Sequence, residues 1–339
     1  MLLYLPHFNL QSYNTLASPV CADFFVSVST EAELLASLKY AREHSLPILV
    51  LGGGSNIILC DDFPGLAIKI NLKGRVLVSE TEEHFFVKAA AGENWQEFVE
   101  YCLDNHYWGL ENLSLIPGSV GAAPIQNIGA YGVELQDVFA ELNAIDIFSG
   151  LSVTFTHDSC QFGYRDSIFK GALKDNYIST SVTFRLSKNP SINVHYPALK
   201  NMLAQYEEGD ITPELIHQVV CDIRRTKLPD PAVLPNVGSF FKNPVVQLAQ
   251  LRSIQTDHPD VVFFPYAEGF VKLAAAWLID RGGWKGFSAD AAVHSQQALV
   301  LTNPNKLKAH VVLALAEKIQ SSIFDQFGVR LELEPRVYP

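Results

Sequence analysis

Residues 51–56 read Leu-Gly-Gly-Gly-Ser-Asn, directly after the apolar run Ile48-Leu49-Val50 and before Ile57-Ile58-Leu59. Two apolar runs flanking a glycine triplet describe a strand, a tight turn and a second strand. The pattern departs from both well-known phosphate loops. A GxGxxG fingerprint opens a helix, but here its third glycine would fall at Ile57 and a β-rich run follows; the GK[ST] of a P-loop is absent. Two readings stand side by side. One is a plain tight turn; the other is a row of unobstructed backbone N–H groups forming a nest for a pyrophosphate.

Outward from this turn, Phe24–Val28 reads as a strand, and Thr30 with Glu33 three residues on opens a helix through a capping box. Leu34, Leu35 and Leu38 give that helix its apolar face, and Pro47 ends the turn after it. The segment is a β-α-β unit leading into a hairpin-like turn. Short strands are expected at 66–70, 75–78, 84–90, 141–147, 151–155 and 177–185, around one helix near 93–104. In that helix Trp95, Phe98, Val99 and Cys102 have the spacing of a core-facing stripe. The texture changes after Leu199. Thr212 and Pro213 start a helix that runs through Arg225, with Leu215, Ile216, Val219, Val220 and Ile223 inward. Further helices are expected at 270–281, ended by Gly282-Gly283, and at 306–326, with strands near 297–302 and 329–334. The class is α+β, with a domain boundary near 200–210 and neither repeats nor low-complexity tracts.

The chain has 339 residues and 48% hydrophobic content, enough to bury the cores of two or three domains. A net charge of −11 disfavours a general nucleic-acid binder. Local Arg and Lys still matter to an anionic ligand, because charges beyond roughly 8 Å are screened at physiological salt. Met1-Leu2-Leu3-Tyr4-Leu5 has no charged n-region, the first basic residue is Lys39, and no apolar run reaches about 18 residues. A cytoplasmic location is expected, with no membrane insertion and no obligate protein partner. Cys21, Cys60, Cys102, Cys160 and Cys221 form no CxxC and read as reduced, mostly buried thiols. The ten histidines are scattered, so no metal is expected.

Four further stretches place reactive side chains at polar punctuation between apolar segments, where sites are usually built. They are SLIPGSVGAAPIQNIGAYG (114–132), GYRDSIFK (163–170), KLPDP with GSFFKNP (227–244) and LELEPR (331–336). Each has an ordinary alternative. The 114–132 stretch is either a mobile loop or a backbone that approaches a flat ligand closely. Arg165 beside Asp166 makes a solvated ion pair; Arg224, Arg225 and Lys227 suit the negative end of a helix dipole. Ser239 after Gly238 is a turn hydroxyl, and Glu332 and Glu334, alternating with leucines, both face water.

Together with LGGGSN and in this order, from about residue 14 to the C-terminus, these motifs resemble the UDP-N-acetylenolpyruvoylglucosamine reductase family in its longer subtype. The resemblance implies a FAD-binding fold of the vanillyl-alcohol oxidase type over 1–205, with α/β subdomains of about 1–68 and 69–205. An α+β substrate-binding domain over 206–325 and a strand over 326–339 returning to the flavin would complete it. It implies noncovalent FAD, NADPH as donor, and reduction of UDP-N-acetylglucosamine enolpyruvate to UDP-N-acetylmuramate for peptidoglycan.

By the same resemblance Arg165, Ser239 and Glu334 are catalytic. Gly52, Gly53, Gly54, Ser55 and Asn56 would hold FAD, as would Ile116, Pro117, Gly118, Ser119 and Gly121. Asn127, Gly129, Gly132, Arg224 and Arg336 complete that set. Tyr131, Lys227, Lys242, Asn243 and Lys272 would contact substrate, and Tyr196 would cover it. The family's closing motif reads LEPEVR, from which this chain departs at Leu333 and Pro335. Two other classes stay open: a flavin oxidase passing electrons to oxygen, though no flavin-attaching His motif is present, and a noncatalytic nucleotide-sugar-binding module.

Overall fold

The computed structural model describes residues 2–339. Contacts divide them into two compact units. The first comprises the N-terminal stretch up to Phe8, Ala22–Gly53 and Phe63–Thr226; the second comprises Asn9–Cys21, Gly54–Asp62 and Lys227–Pro339. The expected boundary near 200–210 lies inside the first unit, because the helices Pro197–Leu203 and Pro213–Lys227 share one apolar cluster around Leu199, Ile216 and Val220.

In the first unit the strands Cys21–Val28, Phe63–Ile70 and Ile48–Leu51 lie parallel, with 63–70 between the other two. The helix Glu31–Glu43 covers them through Leu34, Leu38 and Ala41. Leu35 does not join this face as expected: it is 40% exposed, because the i, i+4, i+7 row defined by its buried neighbours turns it aside. Thr30 caps the helix by accepting from Glu33 N–H, but the Glu33 carboxylate reaches Ser29 N–H at 2.7 Å. The reciprocal half of the capping box is therefore displaced by one residue.

A five-stranded antiparallel sheet follows, in the order 152–156, 139–146, 177–187, 84–90, 75–80. The helix Trp95–Asp104 sets its stripe into this sheet's core, where Trp95, Phe98, Val99 and Cys102 are all at most 1% exposed.

The second unit closes around one core that takes in Leu16, Ile58, Phe240, Leu273, Val312 and Ile323. Asn236–Ser239 pairs with Val300–Thr302, and Phe270–Leu273 lies between Val245–Gln247 and Phe263–Pro265. Residues 270–273 are thus a strand rather than the start of a helix: Val271 and Leu273 are buried while Lys272 between them is not, a period of two. Only Ala275–Arg281 is helical there. The long helix runs His310–Phe327.

The hairpin expected at 51–59 does not form. Ile48–Leu51 pairs with 63–70, whereas Ile57–Leu59 pairs in parallel with the C-terminal strand Arg336–Tyr338. Glycines at 52–54 let the chain leave one sheet and enter another. The strand expected at 329–334 is reduced to a single bridge, Phe241 to Leu333, and regular pairing resumes only after Pro335.

Candidate active site

Within the first unit, the 116–121 stretch is fixed by backbone bonds to the turn before the helix Trp95–Asp104. Trp95 N–H donates to Gly118 O at 3.1 Å, Val120 N–H to Glu93 O at 2.9 Å, and Gly121 N–H to Ala91 O at 3.0 Å. Against it lie Gly52 and Gly53. A Cβ on Gly53 would meet Gly118 Cα at 2.7 Å, and one on Gly52 would meet Ser119 Oγ at 2.5 Å. At Gly53 two backbones meet where no side chain fits, whereas at Gly52 the obstacle is the Ser119 hydroxyl. Lys69 donates to Gly52 O from below, and burial holds its ammonium below the usual lysine range.

Asn127 is fully buried and left-handed; its amide donates to Glu134 Oε2 at 2.8 Å and Gly163 O at 3.0 Å and accepts from Gln136 N–H. Its side chain ties the 127–136 turn to the segment leading to Arg165. Arg165 has a φ of 54° and donates from Nη2 to Gly129 O at 2.6 Å, while Lys170 Nζ donates to the Arg165 carbonyl at 3.2 Å. A left-handed conformation is uncommon for a non-Gly residue, and here both its ends are held.

Tyr131 and Tyr196 meet edge to face, ring centroids 5.3 Å apart, beside the cluster of the two helices. Tyr131 hydrogen-bonds Arg224, whose Nε also donates to Leu115 O at 3.2 Å. Burial raises both phenols above the usual tyrosine range, and burial is also the leading influence that lowers Arg224. Gly132 follows Tyr131 at a φ of 84°. Gly52, Gly53, 116–121, Arg165, Tyr131, Tyr196 and Arg224 all lie in the first unit.

Within the second unit, the GSFFK and LELEP segments run antiparallel. Lys242 N–H donates to Glu332 O at 2.9 Å and Glu334 N–H to Phe240 O at 3.0 Å. Phe240 and Phe241 are anchored in the core, at 0% and 1% exposure, so Ser239 stands on a fixed strand end beside Glu334's backbone. The two glutamates part company. Glu332 is exposed and meets Lys242 Nζ at 3.6 Å, whereas Glu334 is half-buried.

Arg336 N–H donates to Asn56 O at 3.0 Å, and its guanidinium lies 4.3 Å over the Tyr338 ring. The exit of the glycine turn and the C-terminal strand are therefore neighbours. Gly54, at a φ of 65°, accepts from Thr15 N–H at 3.0 Å, and no larger residue fits, since a Cβ would lie 2.0 Å from Tyr13 O. Asn243 Oδ1 accepts from Ala275 N–H, which caps the following helix, and Lys272 Nζ lies 5.3 Å over the Tyr266 ring. Lys227 is exposed at its helix end.

Two contributors were not evident in the sequence. Asn112, 3% exposed, and His217 on the helix Pro213–Lys227 each bind loops that carry expected site residues. Neither sits in a diagnostic spacing.

The FAD binding domain family matches residues 22–155, and the C-terminal domain family of UDP-N-acetylenolpyruvoylglucosamine reductase matches 230–338. Full-length relatives decide the matter. UDP-N-acetylenolpyruvoylglucosamine reductase of Paraburkholderia phymatum is 48% identical over 98% of this chain and 97% of its own length. That of Pseudomonas aeruginosa is 47% identical over 98% of each. The chain belongs to the UDP-N-acetylenolpyruvoylglucosamine reductase family. A crystal structure of the Thermus caldophilus reductase, 23% identical, has the same fold, with a TM-score of 0.66 covering 100% of this chain and 99% of that one.

The residues present fit the FAD that the family match brings. Gly53 against Gly118 has no room for a Cβ, and neither 52–56 nor 116–121 carries an acidic side chain to repel a pyrophosphate. Packing alone accounts for Gly52 and Gly53, so this close approach is compatible with the cofactor without itself requiring it. Among the described residues, no helix is long and apolar enough to cross a membrane.

Proposed function

We propose that this chain is the NADPH-dependent, FAD-containing reductase that converts UDP-N-acetylglucosamine enolpyruvate to UDP-N-acetylmuramate in the cytoplasm. Family membership carries the reaction class. The observation that best supports the assignment of roles is the pairing of GSFFK with LELEP, which holds Ser239 and Glu334 on adjacent segments, the first anchored in the core by Phe240 and Phe241. The residues that the family resemblance assigns to FAD are Gly52, Gly53, Gly54, Ser55, Asn56, the 116–121 stretch and Arg336. When bound, FAD supplies to the enolpyruvyl methylene carbon the hydride it has taken from NADPH.

The protein's own groups manage the resulting charge and proton. Charge developing on the substrate carboxylate calls for donors already in place, each contributing a few kcal/mol. Arg165, oriented through Gly129, supplies a guanidinium. Glu334 serves with its proton in place or firmly paired, since two bare carboxylates repel. Ser239 Oγ gives its proton to the carbon next to the carboxylate, which as an enolate is basic enough to take it. Tyr131, Tyr196, Lys227, Lys242, Asn243 and Lys272 bind the rest of the substrate.

The test begins with the visible spectrum. The purified protein should be yellow, lose its colour to anaerobic NADPH, and regain it on addition of the enolpyruvyl substrate. In deuterated solvent the product should carry deuterium at the carbon next to the carboxylate, and Ser239→Ala should slow its formation by about 100-fold or more. A flavin oxidase would turn over with oxygen in place of the enolpyruvyl substrate, and a simple binding module would be colourless. Wild-type rates from Ser239→Ala would return Ser239 to the role of a turn residue.

A further inference from the structure

Asn112 is nearly inaccessible, yet it lies outside every stretch to which the family resemblance assigns a role. Both of its hydrogen bonds leave its own segment. Nδ2 donates to Tyr131 O at 3.0 Å and to Asn193 O at 2.9 Å. The second of these carbonyls belongs to the irregular segment that ends at Tyr196, the residue before the helix Pro197–Leu203. A further bond closes the link in the same place, Asn193 Nδ2 donating to Gly132 O at 3.2 Å. One buried amide therefore joins the turn that carries Tyr131 to the segment that carries Tyr196, just where the two rings meet edge to face.

The geometry points to Asn112 as a positioning residue that sets the Tyr131–Tyr196 pair for substrate and has no contact of its own with the reacting atoms. This rests on the proposed function, since it assumes that both tyrosines bind substrate. The physical argument is one of cost. Both carbonyls accept from the same interior donor, and removing that donor takes a hydrogen bond from two acceptors that have been partly withdrawn from water. The cheapest relief is for the 189–196 segment to move off and recover water, carrying Tyr196 with it.

The experiment has two arms on the flavin-loaded protein. In steady-state kinetics, Asn112→Ala should raise KM for the enolpyruvyl substrate about tenfold, with kcat changed far less. The same substitution in a Tyr196→Ala background should add less than about twofold, because residues acting through one contact are not additive. A full tenfold effect in that background overturns the proposal, as does a fall in kcat at unchanged KM. The other arm needs no substrate. Amide hydrogen exchange across 189–196 should quicken in Asn112→Ala while exchange across 95–104 does not, and equal protection of 189–196 in variant and parent overturns the proposal even in a fully active enzyme. If the parent protein fails to reduce the enolpyruvyl compound, the functional reading falls, and the exchange arm still decides whether Asn112 holds the segment. Asn193→Ala, which keeps the backbone carbonyl that Asn112 binds, should reproduce the change only weakly; an effect as large as that of Asn112→Ala would assign the link to Asn193 instead.

Discussion

Arg165 shows how much of a residue's role lies in its geometry. Its guanidinium spends an N–H on Gly129 O, and its backbone is held left-handed, so the planar fork is oriented before any ligand arrives. Lysine would keep the charge without that orientation. Arg165→Lys should therefore lower turnover by about 100-fold or more while flavin reduction by NADPH changes little. Stopped-flow traces in which both half-reactions slow equally would remove the assigned role. The glutamates of the closing motif make a paired test. Glu334 is half-buried and Glu332 is exposed against Lys242, so Glu334→Gln should slow flavin reoxidation by about two orders of magnitude. Glu332→Gln should cost little, since an exposed ion pair contributes on the order of 0–1 kcal/mol. The opposite ranking in reoxidation rates would mean that Pro335 has shifted the functional carboxylate by one position.

At the scale of elements, the helix Pro213–Lys227 is the support for the 114–118 turn. Ser114 has one hydroxyl proton and donates it to Glu111 O at 2.6 Å, so it must accept from His217 Nδ1 at 2.8 Å. That fixes a proton on His217 Nδ1, with Nε2 facing Cys221 Sγ at 3.9 Å. Two turns further along the helix, Arg224 holds the carbonyl of Leu115, which is itself left-handed. Burial lowers the His217 pKa below its ordinary 6.5, outweighing Glu100 and Asp104, which raise it, and supported by Arg225. Below about pH 6.5 the unfolded chain binds this proton more readily than the folded one, so stability is full above that pH and is lost as pH falls through the folded value. The melting temperature of His217→Gln should therefore fall less steeply below pH 6.5 than that of the parent. Parallel melting profiles would show that His217 does not titrate with folding. Local pattern had already indicated this helix, through Thr212-Pro213 and the apolar row from Leu215 to Ile223. What pattern could not indicate is what the polar side chains on its flank would touch. His217 and Ser114 are far apart in sequence, and His217 belongs to no motif.

Across the whole molecule the same limit explains the one misjudged turn. Ile57–Leu59 follows Ile48–Leu51 closely in sequence, so a hairpin is the natural reading, yet its partner is the last strand of the chain. Apolar runs indicate that a strand exists; they do not name its neighbour. The motifs were easier to mark in the sequence than the topology, because they interrupt apolar runs. The second unit is consequently not a contiguous piece. Its core needs Leu16 and Ile58, and Asn303 Nδ2 donates to Leu16 O at 2.9 Å. A fragment of residues 227–339 would lose those side chains, each contributing about 1.5–3 kcal/mol, together with a β-partner for 336–338. Against a typical domain stability of about 5–15 kcal/mol this is decisive. The fragment should show no cooperative thermal transition by circular dichroism, and a sharp one would contradict the shared core.

The parallel pair of Ile57–Leu59 with Arg336–Tyr338 also sets a clock on biosynthesis. Ile57–Leu59 is made long before Arg336–Tyr338, with synthesis proceeding at about 5–20 residues per second. For tens of seconds the nascent chain carries Ile57-Ile58-Leu59 with its native neighbour not yet made, so a product that stops before Arg336 keeps this apolar edge uncovered for good.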